Sequence, residues 1–445
     1  MVSNPNTARQ PPVAVQPLAG RVQYYALGLL FLVYVLNFLD RQIVNILAED
    51  IRNELGLKDW QIGAMTGLSF AIFYSILGLP IARLAERGDR PRIIATSIIV
   101  WSAFTGLCGF AQTFAQFALA RVGVGVGEAG CTPPAHSLIS DYVPKEKRAS
   151  ALAFYAMGGP VGGLLGMALG GVIADIWGWR SAFFVVAVPG VIIGLITAFT
   201  LAEPRRKISA AMQGSQSPNL LNGLRELRSC RTYWLFLVGT TLSAVVSYGH
   251  SSFLASFYMR NHGAGLARLS ESFGLQPTGF LGLAVGLLTG LGGVAGAITG
   301  GRIADRWAAK SSRGYAKLAA LATLLSVPPY IVAMLVPWTE VAVGLLFLPI
   351  FCSSLALGSM YAVPQSVVRP QLRATATAIL LFNANLFGMG LGPVLVGAFS
   401  DTLQMHGYSA GDAIKIAQIA ATMVGLVAAA FYWHARTTIE ADMKS

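Results

Sequence analysis

The sequence contains twelve stretches of about 20 residues or more with few charged side chains, and a helix of this length can cross a membrane. We number these stretches span 1 to span 12 in chain order. Their predicted limits are 22–47, 60–83, 92–112, 115–141, 149–175, 181–202, 232–259, 278–302, 315–336, 341–366, 372–400 and 412–436. Charged residues make up only 12% of the chain, whereas a soluble protein carries about 25%. The predicted fold class is therefore an all-α polytopic membrane protein with twelve transmembrane helices.

The basic residues are distributed unevenly between the two faces that the alternating spans define. Of the 32 Lys and Arg residues, 24 lie on the side of both termini, six on the other side, and two, Arg41 and Arg121, within spans. Because cytoplasmic connections are enriched in Lys and Arg, both termini are predicted to be cytoplasmic. The same bias explains the net charge of +12 without a nucleic-acid partner.

The spans divide into two halves with related sequences. A-R-L-A-E-R-G-D-R-P-R (82–92) after span 2 is matched by G-R-I-A-D-R-W-A-A-K (301–310) after span 8. Two related six-helix halves indicate a transporter with its site between them. The predicted organisation is a disordered cytoplasmic tail (1–21), a six-helix bundle (22–202), a cytoplasmic linker with an amphipathic helix (203–231), a second, pseudo-symmetric bundle (232–436) and a cytoplasmic tail (437–445).

The stretch G-V-G-E-A-G (125–130) has the G-x-G-x-x-G spacing of a dinucleotide-binding turn. Such a turn requires a preceding strand in a βαβ unit, and here the apolar F-A-Q-F-A-L-A-R precedes it within span 4. The sequence has no G-x-x-x-x-G-K-[ST] phosphate loop, and its five histidines form no close metal cluster. We therefore expect no enzyme activity, no cofactor and no metal site.

Four charged residues stand out because they lie away from the ends of the predicted spans, Asp40 and Arg41 in span 1 and Arg121 and Glu128 in span 4. Ionisable residues at this depth are costly and usually functional. Arg121 and Glu128 are two helical turns apart, about 10 Å, so they do not pair with each other. Each is expected to pair with span 1, where Asn37, Asp40 and Arg41 form one stripe.

Taken together, residues 22–436 resemble the major facilitator superfamily. Its signature after spans 2 and 8 is similar to G-x-L-A-D-R-x-G-R-R, which the second copy here matches well and the first departs from at Ala82, Glu86 and Asp89. Further points of resemblance are Arg121 with Gly125 in span 4, Gly159-Pro160 in span 5, and G-W-R-S-A-F (178–183) before span 6.

Within that superfamily, two stretches look most like the Spinster family. They are N-F-L-D-R (37–41) and R-V-G-V-G-V-G-E-A-G-x-x-P-P-A-x-S-L-I-S-D-Y (121–142). Organic-anion symporters of the superfamily have similar D-R and G-E-A-G pieces. Animal Spinster proteins carry a histidine where this chain has Asn385.

The resemblance implies that spans 1 and 4 line a central cavity, and it suggests roles for residues around that cavity. Asp40 and Glu128 are expected to couple transport to protons, because burial and neighbouring arginines shift carboxylate pKa values in opposite directions. Arg41, Arg121, Asn37 and Tyr34 are the expected substrate or charge-relay residues. The candidate cavity-lining residues are Thr132, Tyr248, His250, Ser251, Tyr361, Asn383 and Asn385. The expected cytoplasmic gate is Glu86, Arg87, Arg148, Asp305 and Arg306, and the expected helix-packing residues are Gly125, Gly159, Pro160, Gly392 and Pro393.

The expected function is secondary transport of lysophospholipids or sphingolipid-like amphiphiles by alternating access, coupled to protons. The alternative is proton-coupled transport of small organic anions, sugar acids or drugs, and a non-transporting receptor with this fold is a further hypothesis. The expected partners are the amphiphilic substrate, protons and membrane lipids. The expected location is a bacterial inner membrane, with the chain acting as a monomer.

Overall fold

The computed structural model describes residues 20–204, 227–369 and 372–443. Most of the predicted N-terminal tail, and most of the linker with its predicted amphipathic helix, lie outside the described residues. The spans of the first half are Arg21–Ile46 (span 1), Asp59–Gly63 continuing through Ala64–Leu68 and Ser69–Arg87 (span 2), Arg90–Gly109 (span 3), Phe114–Glu128 and Thr132–Tyr142 (span 4), Arg148–Ala156 and Gly158–Trp177 (span 5), and Trp179–Thr200 (span 6).

The second half repeats this arrangement. Its spans are Arg231–Ser272 (span 7), Pro277–Ala308 (span 8), Arg313–Leu335 (span 9), Thr339–Leu345, Phe347–Leu355 and Leu357–Ser366 (span 10), Arg373–Asn383, Ala384–Leu391 and Gly392–Met405 (span 11), and Ala410–Ala435 (span 12). Short helices lie at Ala48–Leu55, Lys145–Lys147 and Ile439–Asp442. Ten of the twelve spans are long and apolar enough to cross a membrane by length and composition alone. The remaining two, spans 4 and 7, complete the predicted twelve-helix architecture.

Span 4 is not the continuous helix that the sequence pattern predicts. Its first segment ends at Glu128, and a second one begins at Thr132. Pro133 and Pro134 explain the break, because proline donates no backbone hydrogen bond and disfavours helical geometry in the residue before it. Thr132 therefore begins the second segment and is not part of the helix that carries Arg121 and Glu128.

Span 7 is longer than predicted. The helix continues from Arg231 to Ser272, with a kink at His262, whose backbone angles are not helical. The predicted limit of 259 assigned Arg260 to a connecting loop. In the structure Arg260 is a helical residue with a buried side chain, and this position gives it the contacts described below.

The two halves meet mainly at one membrane face. We call the face where span 1 begins and span 12 ends the terminal face, and the other the opposite face. Toward the opposite face a single hydrophobic cluster contains residues of both halves, including Ile43 of span 1 and Phe257 of span 7. A separate cluster within the second half, including Tyr233 and Tyr432, lies toward the terminal face.

Glycines bring the halves into backbone contact near the opposite face. A Cβ atom added to Gly63 of span 2 would lie 2.5 Å from the carbonyl carbon of Pro393 in span 11, and one added to Gly171 of span 5 would lie 2.5 Å from the carbonyl oxygen of Thr278 in span 8. Real side chains do not tolerate such distances. Spans 2 and 11, and spans 5 and 8, therefore pack closely only because these positions lack a side chain.

Candidate functional site

Two ion pairs join span 1 to span 4. Arg41 Nε donates to Glu128 Oε2 at 2.7 Å, and Arg121 donates to Asp40 Oδ2 at 3.3 Å. The structure thus brings together the four charged residues that the sequence singled out. Three of the side chains are at most 2% exposed, whereas that of Arg41 is 13% exposed. Arg41 is therefore the most exposed member of this charged tetrad.

The Asp40–Arg121 pair lies inside the first half. Thr105 of span 3 donates a short hydrogen bond to the other oxygen of Asp40. Trp101 of span 3 and Val186 of span 6 line a small void beside it. A buried ion pair of this kind costs about 3–5 kcal/mol when one partner is removed. Its position between four spans of one half is suited to fixing their packing.

The Arg41–Glu128 pair has a different environment. The Arg41 guanidinium lies 4.7 to 5.3 Å from the ring centroids of Phe38, Phe70 and Tyr74, which stabilise a cation through their π faces. Glu128 is the last residue of its helical segment, and among the described residues its Oε1 atom has no hydrogen-bond partner. One oxygen of this carboxylate therefore holds Arg41, while the other is buried and has no hydrogen-bond partner among the described residues.

The glycines of G-V-G-E-A-G pack span 4 against its neighbours. A Cβ atom on Gly125 would lie 2.5 Å from the Phe70 carbonyl oxygen of span 2, and one on Gly127 would lie 2.6 Å from the Trp101 backbone nitrogen of span 3. This segment is helical, and residues 20–124, the described part of the chain before it, contain no strand. The motif therefore sets helix packing around Glu128 and does not form a nucleotide-binding turn.

A cavity of about 380 Å³ lies close to the tetrad, and most of its wall belongs to the second half. Span 1 contributes Phe38 and Gln42, which lie three residues before and one residue after Arg41, and span 5 contributes Met167. The cavity residues of the second half include Ser247, Tyr248, His250, Ser251, Thr289, Thr323, Ser326, Tyr330, Ser353 and Thr422. No residue of span 4 lines this cavity, and the expectation that spans 1 and 4 line the transport pathway together stays a prediction.

Of the predicted lining residues, Tyr248, His250 and Ser251 line this cavity. The other candidates lie elsewhere. Tyr361 is 41% exposed, Asn383 donates to the Ile379 carbonyl of its own helix, and Thr132 begins the second segment of span 4. Asn385 lies within the π-helical segment of span 11.

Two of the predicted relay residues, Tyr34 and Asn37, pack inside the first half. Tyr34 stacks on Tyr155 of span 5, with ring centroids 4.4 Å apart. Asn37 is 1% exposed, and neither atom of its amide group has a hydrogen-bond partner among the described residues. Both therefore lie within the first half rather than on the cavity wall.

At the opposite face an arginine of the second half holds two carboxylates of the first. Arg260 donates to Glu49 at 2.8 to 3.0 Å and to Asp59 at 2.8 and 2.9 Å. Ser400 and Gln404 of span 11 also donate to Asp59, at 2.7 and 2.9 Å. We call this group the Arg260 lock. The sequence pattern does not predict it, because the predicted limits of spans 2 and 7 place both Asp59 and Arg260 in connecting loops.

Asp401 of span 11 adds a contact beside this lock. Its carboxylate accepts hydrogen bonds from the backbone N–H groups of Asp59 and Trp60, at 3.0 and 2.8 Å. These N–H groups belong to the first turn of span 2 and have no partner within the helix. A carboxylate at this end is also favoured by the helix dipole, so the contact ties span 11 to span 2.

The predicted gate at the terminal face remains a prediction. The side chains of Glu86 and Arg87 lie outside the described residues, and Asp305 and Arg306 are exposed. Arg148 donates to the Val143 carbonyl at 3.2 Å.

A buried arginine that was not predicted lies near the same face. Arg90, at the start of span 3, donates to Glu203 beyond span 6 and to Asp141 of span 4. Arg90 is fully buried. In the sequence, the acidic residues Glu203 after span 6 and Asp141 in span 4 were the available signals for such a cluster. This cluster connects three spans of the first half.

Twelve membrane helices in two related halves, with charge pairs and a cavity near their boundary, define a multi-pass membrane transporter. The sequence matches the family model described as Major Facilitator Superfamily over residues 30–393. It is 31% identical over 430 residues to an MFS-type efflux pump of Mycolicibacterium smegmatis, a match that covers 95% of each chain.

Two further similarities indicate the family within this superfamily. A sphingosine-1-phosphate transporter, SPNS2, of Xenopus tropicalis is 27% identical over 86% of this chain and 75% of that protein. The crystal structure of a bacterial homologue of the human lysosomal transporter Spinster, in an inward-facing and unoccupied conformation, superposes with a TM-score of 0.82 at 30% identity, covering 95% of this chain and 99% of that one. The chain belongs to the Major Facilitator Superfamily and is a Spinster-family transporter.

Proposed function

We propose that this protein moves lysophospholipids or sphingolipid-like amphiphiles across a bacterial inner membrane by alternating access, coupled to protons through Glu128 and Asp40. The observation that carries the proposal is the Arg41–Glu128 pair. It joins the one tetrad side chain with 13% exposure to a fully buried carboxylate that has one oxygen unpartnered among the described residues.

The proposed coupling is an exchange of partners at Arg41. While Glu128 is ionised, it holds Arg41 through the 2.7 Å hydrogen bond. A proton on Glu128 removes the negative charge, and Arg41 is then free to bind the anionic head group of a substrate. Release of the substrate favours ionised Glu128 again. Binding of proton and substrate is thereby linked through one guanidinium, and the linkage is reciprocal.

The direction of access follows from the closed opposite face. The Arg260 lock and the glycine contacts join the halves there, so we propose that substrate enters this conformation from the terminal face. The bias of basic residues supports a cytoplasmic terminal face. The related structure described as inward-facing supports the same assignment.

The second candidate is transport of a small organic anion, a sugar acid or a drug. The specific observation in its favour is the size of the cavity, about 380 Å³, near the lower end of ligand pockets, about 300–1,000 Å³. The similarity to a protein described as an efflux pump agrees with it.

Flux through the purified protein in liposomes tests the proposal. We expect a pH gradient to accelerate movement of a labelled lysophospholipid, and Glu128→Gln to abolish the acceleration while leaving the protein folded. Glu271→Gln, which neutralises an exposed carboxylate at the opposite face, is the matched control. Unchanged gradient dependence in Glu128→Gln and Asp40→Asn would refute the coupling. Flux of small carboxylates without any flux of lysolipids would favour the second candidate.

A further inference from the structure

One buried polar side chain beside the tetrad belongs to neither ion pair. Asn37 of span 1 is 1% exposed, and neither its Nδ2 nor its Oδ1 atom has a hydrogen-bond partner among the described residues. A polar group that is buried in this way loses its hydration and gains no bond in return. An apolar side chain of similar size would avoid that loss, so the amide group calls for a role at this position.

Helical geometry places Asn37 in front of span 4. Asp40 and Arg41 lie three and four residues after Asn37, and therefore on the same side of span 1, about 4.5–6 Å further along its axis. Both contact the Phe114–Glu128 segment of span 4, Asp40 through Arg121 and Arg41 through Glu128. Asn37 thus faces the same segment, one helical turn nearer the terminal face.

Glu128 lies at the matching end of that segment. Span 4 runs from the opposite face to the terminal face, so Glu128, the last residue of its segment, is the one nearest the terminal face. Side chains on a helix tilt toward its N-terminus, so Arg41 meets Glu128 close to the turn that carries Asn37. The carboxyl group of Glu128 and the amide group of Asn37 are therefore at the same depth in the first half.

The two groups complement each other fully only when Glu128 carries a proton. An ionised carboxylate is an acceptor alone, so it can satisfy the Asn37 N–H but offers nothing to Oδ1. A protonated carboxyl group has one donor and one further acceptor, so it can satisfy both atoms of the amide. Arg41 occupies only Oε2 of Glu128, and Oε1 is buried without a partner among the described residues.

The other titratable and charged side chains around Glu128 are less suited to this pairing. Those that face Glu128, Arg41 or Cys131 are Tyr34 and Asp40 of span 1, Tyr74 of span 2, Arg121 and Cys131 of span 4, Tyr155 of span 5 and Tyr248 of span 7. Asp40 and Arg121 bind each other. Tyrosine and cysteine have a single polar atom each, whereas a carboxamide presents a donor and an acceptor side by side, which matches the two oxygens of a neutral carboxyl group.

We propose that the Asn37 carboxamide binds the protonated form of Glu128, with Nδ2 donating to the carboxyl group and Oδ1 accepting the acid proton. This role rests on the proposed function, because it requires Glu128 to take up the coupling proton. It also favours the release of Arg41, since a neutral carboxyl group paired with Asn37 no longer holds the guanidinium. Asn37 is then a positioning residue, which holds the proton on Glu128 and does not contact the substrate.

Infrared titration of the purified full-length protein in liposomes tests this role. The carbonyl band of protonated Glu128 is the one that disappears in Glu128→Gln. In Asn37→Leu, which has a similar size and no polar atom, we expect the titration midpoint of this band to fall by about one pH unit, a tenfold weaker hold on the proton. The band should also move to a higher frequency, because the carboxyl group has lost its hydrogen bonds. Asn37→Gln keeps the carboxamide and should remain closer to the wild type in both respects.

A matched control removes a different buried polar atom of the first half. Tyr155→Phe deletes a hydroxyl that also has no partner among the described residues, and it should change neither the midpoint nor the frequency. If Asn37→Leu does not fold, Asn37→Ala makes the same test with a smaller side chain.

The possible results separate this role from the proposed function. If Glu128 titrates in the wild type and Asn37→Leu changes neither midpoint nor frequency, the role of Asn37 is overturned and the coupling through Glu128 stands. A shift of the same size in Tyr155→Phe also overturns it. If Glu128 does not titrate in the wild type, the role of Asn37 and the coupling through Glu128 both fail. If the band shifts as expected but no lysolipid moves across the liposome membrane, the role of Asn37 stands and the proposed substrate is wrong.

Discussion

Asp401 and Asp175 cap the first turns of two different membrane helices at equivalent positions of the two halves. Asp401 accepts the backbone hydrogen bond of Trp60 at 2.8 Å, and Asp175 accepts that of Gly279 at 2.7 Å. Trp60 and Gly279 are related by the same repeat spacing as Glu86 and Asp305. Each carboxylate belongs to one half and caps a helix of the other half. The internal repeat therefore places two equivalent contacts between the halves at the opposite face.

Removal of these caps should open the opposite face. Asp401→Ala combined with Asp175→Ala removes two caps, each worth roughly 0.5–2 kcal/mol. We expect the distance between spin labels at Lys58→Cys and Glu271→Cys, one on each half, to gain a longer population. Asp412→Ala is the matched control, because Asp412 is an exposed carboxylate that pairs with Lys415 within span 12. A distance distribution that is the same in the double variant and the control contradicts the assignment.

The Arg260 lock should respond to substitutions in a graded way. Arg260→Gln removes the only one of their two shared cations that belongs to the second half, because Arg52, which lies 3.5 Å from Glu49 and 3.2 Å from Asp59, is in the first half. We therefore expect the longer population of the same label pair to increase. Arg260→Lys should have an intermediate effect, because an ammonium group cannot reproduce the forked hydrogen bonds of guanidinium. Arg268→Gln, at an exposed position on the same helix, controls for lost charge. Equal distributions for Arg260→Gln and Arg268→Gln would be inconsistent with a lock.

Asp50 should make the closure of the opposite face depend on pH. Burial, together with the nearby Asp175 and Glu49, raises the pKa of Asp50 from its ordinary value of 3.8 to about 6 in this closed conformation. Opening returns the carboxyl to water and to its ordinary pKa. The closed face therefore binds the proton more tightly, and closure is favoured as the pH falls through about 6.

The same label pair measures this effect at about pH 5 and about pH 7.5, on either side of the raised pKa. We expect more of the closed population at the lower pH. Asp50→Asn mimics the protonated form, so it should keep the face closed at both pH values and reduce the dependence. A wild type that opens on acidification, or an unaltered pH response in Asp50→Asn, contradicts the prediction.

Much of the architecture follows from the sequence because hydrocarbon restricts the choices. A chain that buries about 20 apolar residues at a time can only cross as helices, and the predicted and observed limits of span 1 differ by one residue at each end. The tetrad was predictable for a similar reason. A buried Arg121 and Glu128 two turns apart require partners of opposite charge, and span 1 has one of each.

Other parts of the site depend on information that no local pattern carries. A charged residue at the end of an apolar stretch, such as Arg260, is typical of a connecting loop. The counter-charges that accommodate Arg260 within the helix, Glu49 and Asp59, lie in the other half of the chain. Tyr248, His250 and Ser251 were predicted to line the cavity and do so, whereas Thr323, Ser326 and Ser353 were not predicted, because such hydroxyl residues look like ordinary packing residues in each span alone. The break after Glu128 did have a signal, Pro133 and Pro134, which the apolar pattern of span 4 outweighed.

The two ion pairs of the tetrad should differ in their effect on stability. Asp40→Asn leaves the buried Arg121 without its counter-charge, so we expect a loss of about 3–5 kcal/mol in the free energy of unfolding. Glu128→Gln should cost less, because Arg41 retains three aromatic rings and partial exposure. Unfolding of the purified variants by denaturant measures both. The double variant Asp40→Asn with Arg121→Gln should recover part of the lost stability. If Glu128→Gln is less stable than Asp40→Asn, the prediction that the Asp40–Arg121 pair contributes more to stability is wrong.

Gly125 should be intolerant of any side chain. The Cβ atom of Gly125→Ala would lie 2.5 Å from the backbone carbonyl oxygen of Phe70, so spans 2 and 4 must separate. Such overpacking costs typically 1–3 kcal/mol, and it moves Glu128 relative to Arg41, so we expect both a lower unfolding temperature and slower lysolipid flux. Gly301→Ala, where a Cβ atom meets open space, is the matched control. Equal unfolding temperatures for the two variants would show that spans 2 and 4 accommodate a side chain at this position. The close packing of the glycine motif would then not explain the position of Glu128.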